Sequence, residues 1–100
     1  FARKLYHWVF NGFPELGDTS GVGIGAPVCW AVKSTNFRET PHKVAEEIWR
    51  NSDGFLYENG AIMRCAIIGC FNKPKEELFV YTKKICQVTH YDPRCVAVCV

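Results

Sequence analysis

No uncharged apolar run in the 100 residues approaches the ~18 needed to cross a bilayer, so a membrane-spanning helix is excluded. Phe1-Ala2-Arg3-Lys4 leads into no apolar stretch of the kind a secretory signal carries. Low-complexity tracts, internal repeats and linkers are missing, which removes a disordered tail from consideration. The basic residues are not clustered: 12 Lys and Arg stand scattered against 10 Asp and Glu, for a net charge of +2. A nucleic-acid partner, which calls for a clustered basic face, is therefore not expected. Alternating polar and apolar residues are nearly absent, and with them the signature of half-buried strands. The sequence also holds no paired carboxylates, no serine–histidine constellation and no metal-ligand spacing.

What is present reads as one folded unit. Hydrophobic residues make up 48% and aromatics 14%, too much to leave in water. Six cysteines occupy positions 29, 65, 70, 86, 95 and 99, and none of them forms the two-residue gap of a zinc knuckle or redox pair. Cys65 and Cys70 lie in the apolar run Ile62–Cys70, where they read as small buried hydrophobes. The expectation is six reduced thiols in a cytoplasmic protein. The chain starts at Phe1 rather than Met and stops inside Val96-Ala97-Val98-Cys99-Val100, a stripe that a domain seldom exposes at its end. It is expected to be an internal segment of a longer protein.

Leu5, Trp8 and Val9 recur at helical spacing in residues 1–11, and Gly12 and Pro14 stop that helix. Residues 12–21 form a loop by composition. A second helix is expected from about Val22 to Ser34, with Pro27 in its first turn. Thr40-Pro41 supplies an N-cap and first residue for a third, whose buried face is Val44, Ala45, Ile48 and Trp49. Gly60 to Cys70 fits either a buried strand or a helix. Glu76 and Glu77 favour a helix start, followed by a face of Leu78, Thr82, Ile85, Cys86 and Thr89. Asp92-Pro93 opens the last helix, Arg94 to Val100. The fold class is all-α, a bundle of about five to six helices.

Three segments carry chemistry. Gly21-Val22-Gly23-Ile24-Gly25-Ala26 matches the loose dinucleotide fingerprint, but Gly17-Asp18-Thr19-Ser20 before it is no strand, which removes a Rossmann fold. Two readings remain for these glycines: an anion-binding helix start with bare N–H groups, or close helix packing. Tyr57-Glu58-Asn59-Gly60-Ala61-Ile62-Met63-Arg64 places an amide beside a glycine at a helix entry, able to reach a sugar hydroxyl or phosphate. Its other reading is a tight turn into core. Arg64, inside an apolar run, must find a carboxylate, a carbonyl or a ligand. Gln87-Val88-Thr89-His90-Tyr91-Asp92 joins two helices, where a histidine is either a hydrogen-bonding bridge or a functional donor. His7 and His42 fall on helix surfaces.

Asn59-Gly60-Ala61-Ile62-Met63-Arg64 resembles the Asn-Gly-(Ala or Cys)-x-Met-Arg signature of the ADP-ribosylglycohydrolase family. Thr89-His90-Tyr91-Asp92-Pro93-Arg94 resembles that family's Thr-His signature, at a fitting distance. Phe13-Pro14-Glu15-Leu16-Gly17-Asp18, the glycine-rich segment and Pro41 through Arg50 are similar to the fungal-type branch. The resemblance implies an all-α, magnesium-dependent hydrolase that cleaves the glycosidic bond between ADP-ribose and a protein side chain. It implies that Asn59, Gly60 and His90 line an ADP-ribose pocket, with Gly21 and Gly23 beside the diphosphate. On that reading neutral His90 donates from one ring nitrogen while the Asp92 region fixes the other. Glu58 departs from the small residue many members have there.

The paired-aspartate motifs that hold the family's metals at either end of the domain do not occur in these residues. Asp18 in Gly17-Asp18-Thr19 only mimics one. Residues 1–100 are thus expected to be the central segment of such a domain, completed by the rest of it, with no metal and no catalytic residue of their own. By themselves they are expected to have no hydrolase activity; in the intact parent enzyme the expected partner is ADP-ribose or an ADP-ribosylated protein. The alternatives are an ADP-ribose-binding module or pseudoenzyme, and a helical interaction domain.

Overall fold

In the computed structural model, which describes residues 1–100, the stripe of Leu5, Trp8 and Val9 becomes the inner face of α1 (Ala2–Asn11). The helix stops where Gly12 turns into the left-handed region, φ 63°. A side chain there would collide with the Asp18 carbonyl, so glycine is required for the loop to fold back. After one 3₁₀ turn at Pro14–Leu16, the Asp18 carboxylate accepts from Trp8 Nε1 and from the backbone N–H groups of Ser20 and Val22, each at 3.0 Å. These bonds hold the carboxyl below its ordinary pKa and make Asp18 the organiser of the loop.

Helix α2 (Ala26–Lys33) begins later than its sequence indicates. Residues 22–25 are not helical, because Gly21 and Gly23 adopt φ 67° and 81° and Pro27 fits only a first turn. Helix α3 (Pro41–Asn51) starts at the expected proline, but Thr40 is no side-chain cap: its hydroxyl turns back to the Asn36 carbonyl at 3.3 Å. Gly60 to Cys70 resolves as helix rather than strand, a single turn α4 (Ile62–Cys65) running into a 3₁₀ stretch to Cys70. Helix α5 (Lys75–Cys86) carries Glu76 and Glu77 at its start and Lys83 and Lys84 at its end, matching its dipole. Helix α6 (Pro93–Cys99) is capped by Asp92, whose carboxylate accepts from the Arg94 N–H at 2.8 Å. There are six α-helices and no strand, so the fold is all-α. No helix is long and apolar enough to cross a membrane.

Two apolar clusters hold the helices. Val9, Val28, Ala31, Val32, Phe37, Val44 and Val88 join α1, α2 and α3. Ala61, Cys65, Cys86 and Cys95 join α4, α5 and α6. Trp49 Nε1 bridges α3 to the α6 cap, donating to Asp92 at 2.9 Å.

The six cysteines are free thiols. Cys65 is buried as its sequence context indicates, but Cys70 is exposed, because its 3₁₀ stretch turns only Ile68 inward. Burial pushes the Cys65 thiol up to about 11, with Cys99 adding to the effect, and raises Cys86 further. A thiol reagent is accordingly expected to label Cys70 first in the native protein and to reach Cys65 and Cys86 only on unfolding. Equal labelling rates, read by mass spectrometry, would contradict this core.

Candidate functional site

Between α1, the start of α2, the 58–60 loop and α4 lies a cavity of about 390 Å³, within the range of small-molecule sites. Leu5 and Trp8 of α1 form one wall, Ile24 and Val28 another, and Met63 and Arg64 of α4 face them. Asn59, Gly60, His90 and Gly23 all reach it. Gly21 does not. A side chain at Gly21 would meet the Val9 Cα at 3.0 Å and the Trp8 carbonyl at 3.1 Å, so that glycine serves the packing of the loop on α1. At Gly23 a side chain would meet nothing within 4 Å.

Asn59 is exposed and its carbonyl accepts from the Ile62 N–H at 3.0 Å, which starts α4. Its side-chain amide makes no hydrogen bond within the chain and stands free at the cavity's edge. Gly60 lies against the imidazole of His90: a Cβ there would sit 3.3 Å from Nε2. The requirement at Gly60 is therefore space for the ring, since its φ is not in the left-handed region.

His90, at the junction of α5 and α6, is buried, with 3% of its surface exposed. Its Nδ1 lies 2.8 Å from the Thr89 hydroxyl. Nε2 is buried and has no partner. Burial first, and then the charge of Arg64, lower its pKa to about 4, so the ring is neutral at pH 7. The group that fixes Nδ1 is Thr89, not the Asp92 region expected from sequence. Asp92 is fully engaged with Trp49 and with the backbone and guanidinium of Arg94, the last at 2.8 Å.

Arg64 finds carbonyls rather than a carboxylate. Its guanidinium donates to Ile85 and Cys86 at the end of α5, the latter at 3.0 Å, and to the Thr89 hydroxyl at 2.6 Å. It thereby caps α5 and supports the His90 segment at once. The lone charge in an apolar run was the signal that could have revealed this; nothing in the local sequence names Thr89 as its partner. Beneath the site the thiols of Cys86 and Cys95 donate to the carbonyls of His90 and Glu58, at 3.6 and 3.3 Å.

The residues present do not fit a magnesium pair. No three His, Cys, Asp or Glu side chains converge as metal ligands, and the carboxylates of Asp18 and Asp92 already accept three and four N–H bonds. His42 is exposed, but its Nε2 lies 2.9 Å from the Lys84 carbonyl and ties α3 to α5.

A family model described as ADP-ribosylglycohydrolase matches residues 1–100. No curated protein and no solved structure matches the chain.

Proposed function

The chain belongs to the ADP-ribosylglycohydrolase family, and from that membership we propose that its cavity is the ADP-ribose-binding part of a hydrolase releasing ADP-ribose from protein side chains. One observation carries the reading: a neutral histidine, buried with an unpartnered ring nitrogen, lines a cavity of small-molecule size beside a glycine. A buried polar atom without a partner is costly, and a ligand atom would remove the cost. ADP-ribose offers diphosphate and ribose oxygens in abundance. Asn59 can donate and accept at once, which suits a ribose edge or a phosphate. Gly60 leaves room for the His90 ring at the cavity wall, and Gly23 keeps the α2 side of the cavity bare. Gly21 shapes that loop from behind. Within this reading the chain is the central segment of a fungal-type, cytoplasmic member, and the magnesium chemistry belongs to the rest of that domain.

Residues 1–100 are then expected to bind ADP-ribose, with or without magnesium, and to leave ADP-ribosylated arginine or serine peptides intact. Calorimetric titration tests this. A hydrogen bond to a charged group is worth about 1.5–3 kcal/mol, so Asn59→Ala should weaken binding roughly ten- to a hundredfold. His7→Ala is the appropriate control, since His7 is exposed and its ring makes no hydrogen bond, whereas His42 holds Lys84. Equal affinities for the two variants would contradict the pocket.

A further inference from the structure

The hydrogen-bond chain behind the cavity determines which ring nitrogen of His90 carries the proton. Arginine only donates, so at 2.6 Å the Thr89 oxygen must be the acceptor from Arg64. The single hydroxyl proton of Thr89 then needs an acceptor of its own. Thr89 is buried, and His90 Nδ1, at 2.8 Å, is the partner within reach. Were Nδ1 protonated instead, Thr89 would face two donors and its own proton would be stranded in the interior. In a neutral imidazole the proton therefore resides on Nε2, the atom that has no partner and lies against Gly60, in a ring that lines the cavity.

We propose that Arg64 is a positioning residue that acts through Thr89: it locks His90 as the Nε2–H tautomer, so that the site presents a fixed donor selective for an acceptor oxygen of the ligand. The Arg64 side chain is held for this task by two other carbonyls, Ile85 and Cys86, at the end of α5. A ligand presenting a donor to the same spot would meet another donor and be rejected. The consequence for ligand choice rests on the cavity being the ADP-ribose site; the tautomer lock does not.

Long-range ¹H–¹⁵N spectra of the His90 ring in the ligand-free protein test the lock. The expected result is a protonated, pyrrole-type Nε2 and an unprotonated Nδ1. Thr89→Val keeps the buried volume but removes the relay. It should release the ring into a tautomer mixture, a change of about fivefold in their ratio, the factor one neutral hydrogen bond supplies. Thr89→Ser restores the hydroxyl and should restore the single tautomer, which a merely structural threonine would not require. Arg64→Met should unlock the ring as Thr89→Val does. A wild-type ring protonated on Nδ1, or an unchanged Nε2–H tautomer in Thr89→Val, would overturn the proposal. Should Arg64→Met fail to fold, the wild-type spectrum and the threonine pair still decide it. Calorimetry separates the functional reading: ADP-ribose affinity should fall about tenfold in Thr89→Val and stay within about twofold in Thr89→Ser. A locked ring in a protein that binds no ADP-ribose sustains the relay and refutes the ligand.

Discussion

Asp92→Ala is expected to destabilise the protein by about 2–4 kcal/mol, lowering the thermal midpoint by roughly 10–20 °C. Asp92 is 1% exposed, and its side chain serves two elements at once. It caps α6 through the Arg94 N–H and accepts from Trp49 Nε1 of α3. Its ion pair with Arg94 adds little to that figure, since the arginine side chain is 64% exposed. Alanine leaves the half-buried indole N–H without its partner and the first turn of α6 uncapped. Asp92→Asn keeps one acceptor oxygen, enough for the Arg94 N–H of the α6 cap but not also for Trp49 Nε1 on the other oxygen, so its loss should fall between wild type and Asp92→Ala. Differential scanning calorimetry of the two variants checks the ordering, and a stable Asp92→Ala would contradict this account of how α3 meets α6.

His90 and Asp92 set the acid response. His90 is neutral in the folded chain, with its pKa lowered to about 4 by burial and by Arg64, against about 6.5 in the unfolded chain. Between those values the unfolded state binds the extra proton, so stability falls as pH drops from about 6.5 toward 4. The Asp92 carboxyl is held well below its ordinary range, chiefly by Arg94 and then Trp49. Its contribution is complete above about 4 and is lost as pH falls further.

Gly60→Ala should reduce ADP-ribose affinity by about tenfold or more while moving the thermal midpoint only a few degrees. The backbone at Gly60 lies outside the left-handed region, so alanine fits it. Its methyl, however, would lie 3.3 Å from His90 Nε2 and 3.4 Å from Cε1, against the ring nitrogen that has no partner. Binding and folding are therefore expected to separate cleanly in this variant. Undiminished binding by calorimetry would show that the ligand does not approach His90 from the Gly60 side.

Much of the fold was legible because helical stripes and prolines act locally. Leu5, Trp8 and Val9, or Val44 and Ala45, announce a buried face, and Pro41 and Pro93 mark first residues. The misjudged boundary, Val22 instead of Ala26, fell where left-handed glycines override an apolar pattern. At the site, residue types were legible and their partnerships were not. Asn59, Gly60 and His90 stood out as candidates, but the partner of His90 is its neighbour Thr89, fixed by an arginine 25 positions earlier in the chain. Asp18 looked like half a metal motif because a carboxylate in a Gly-Asp-Thr loop reads the same whether it binds an ion or three N–H groups. Only the fold, which brings Trp8, Ser20 and Val22 to it, separates the two.

The central claim is that this cavity takes ADP-ribose through Asn59 and His90. Backbone amide chemical shifts followed during an ADP-ribose titration test it most directly. The account predicts saturable shifts concentrated at Gly23, at Asn59 and Gly60, and at Thr89 and His90. Shifts that fail to saturate, or that gather on the Arg3, His7 and Arg38 surface across α1, would contradict it.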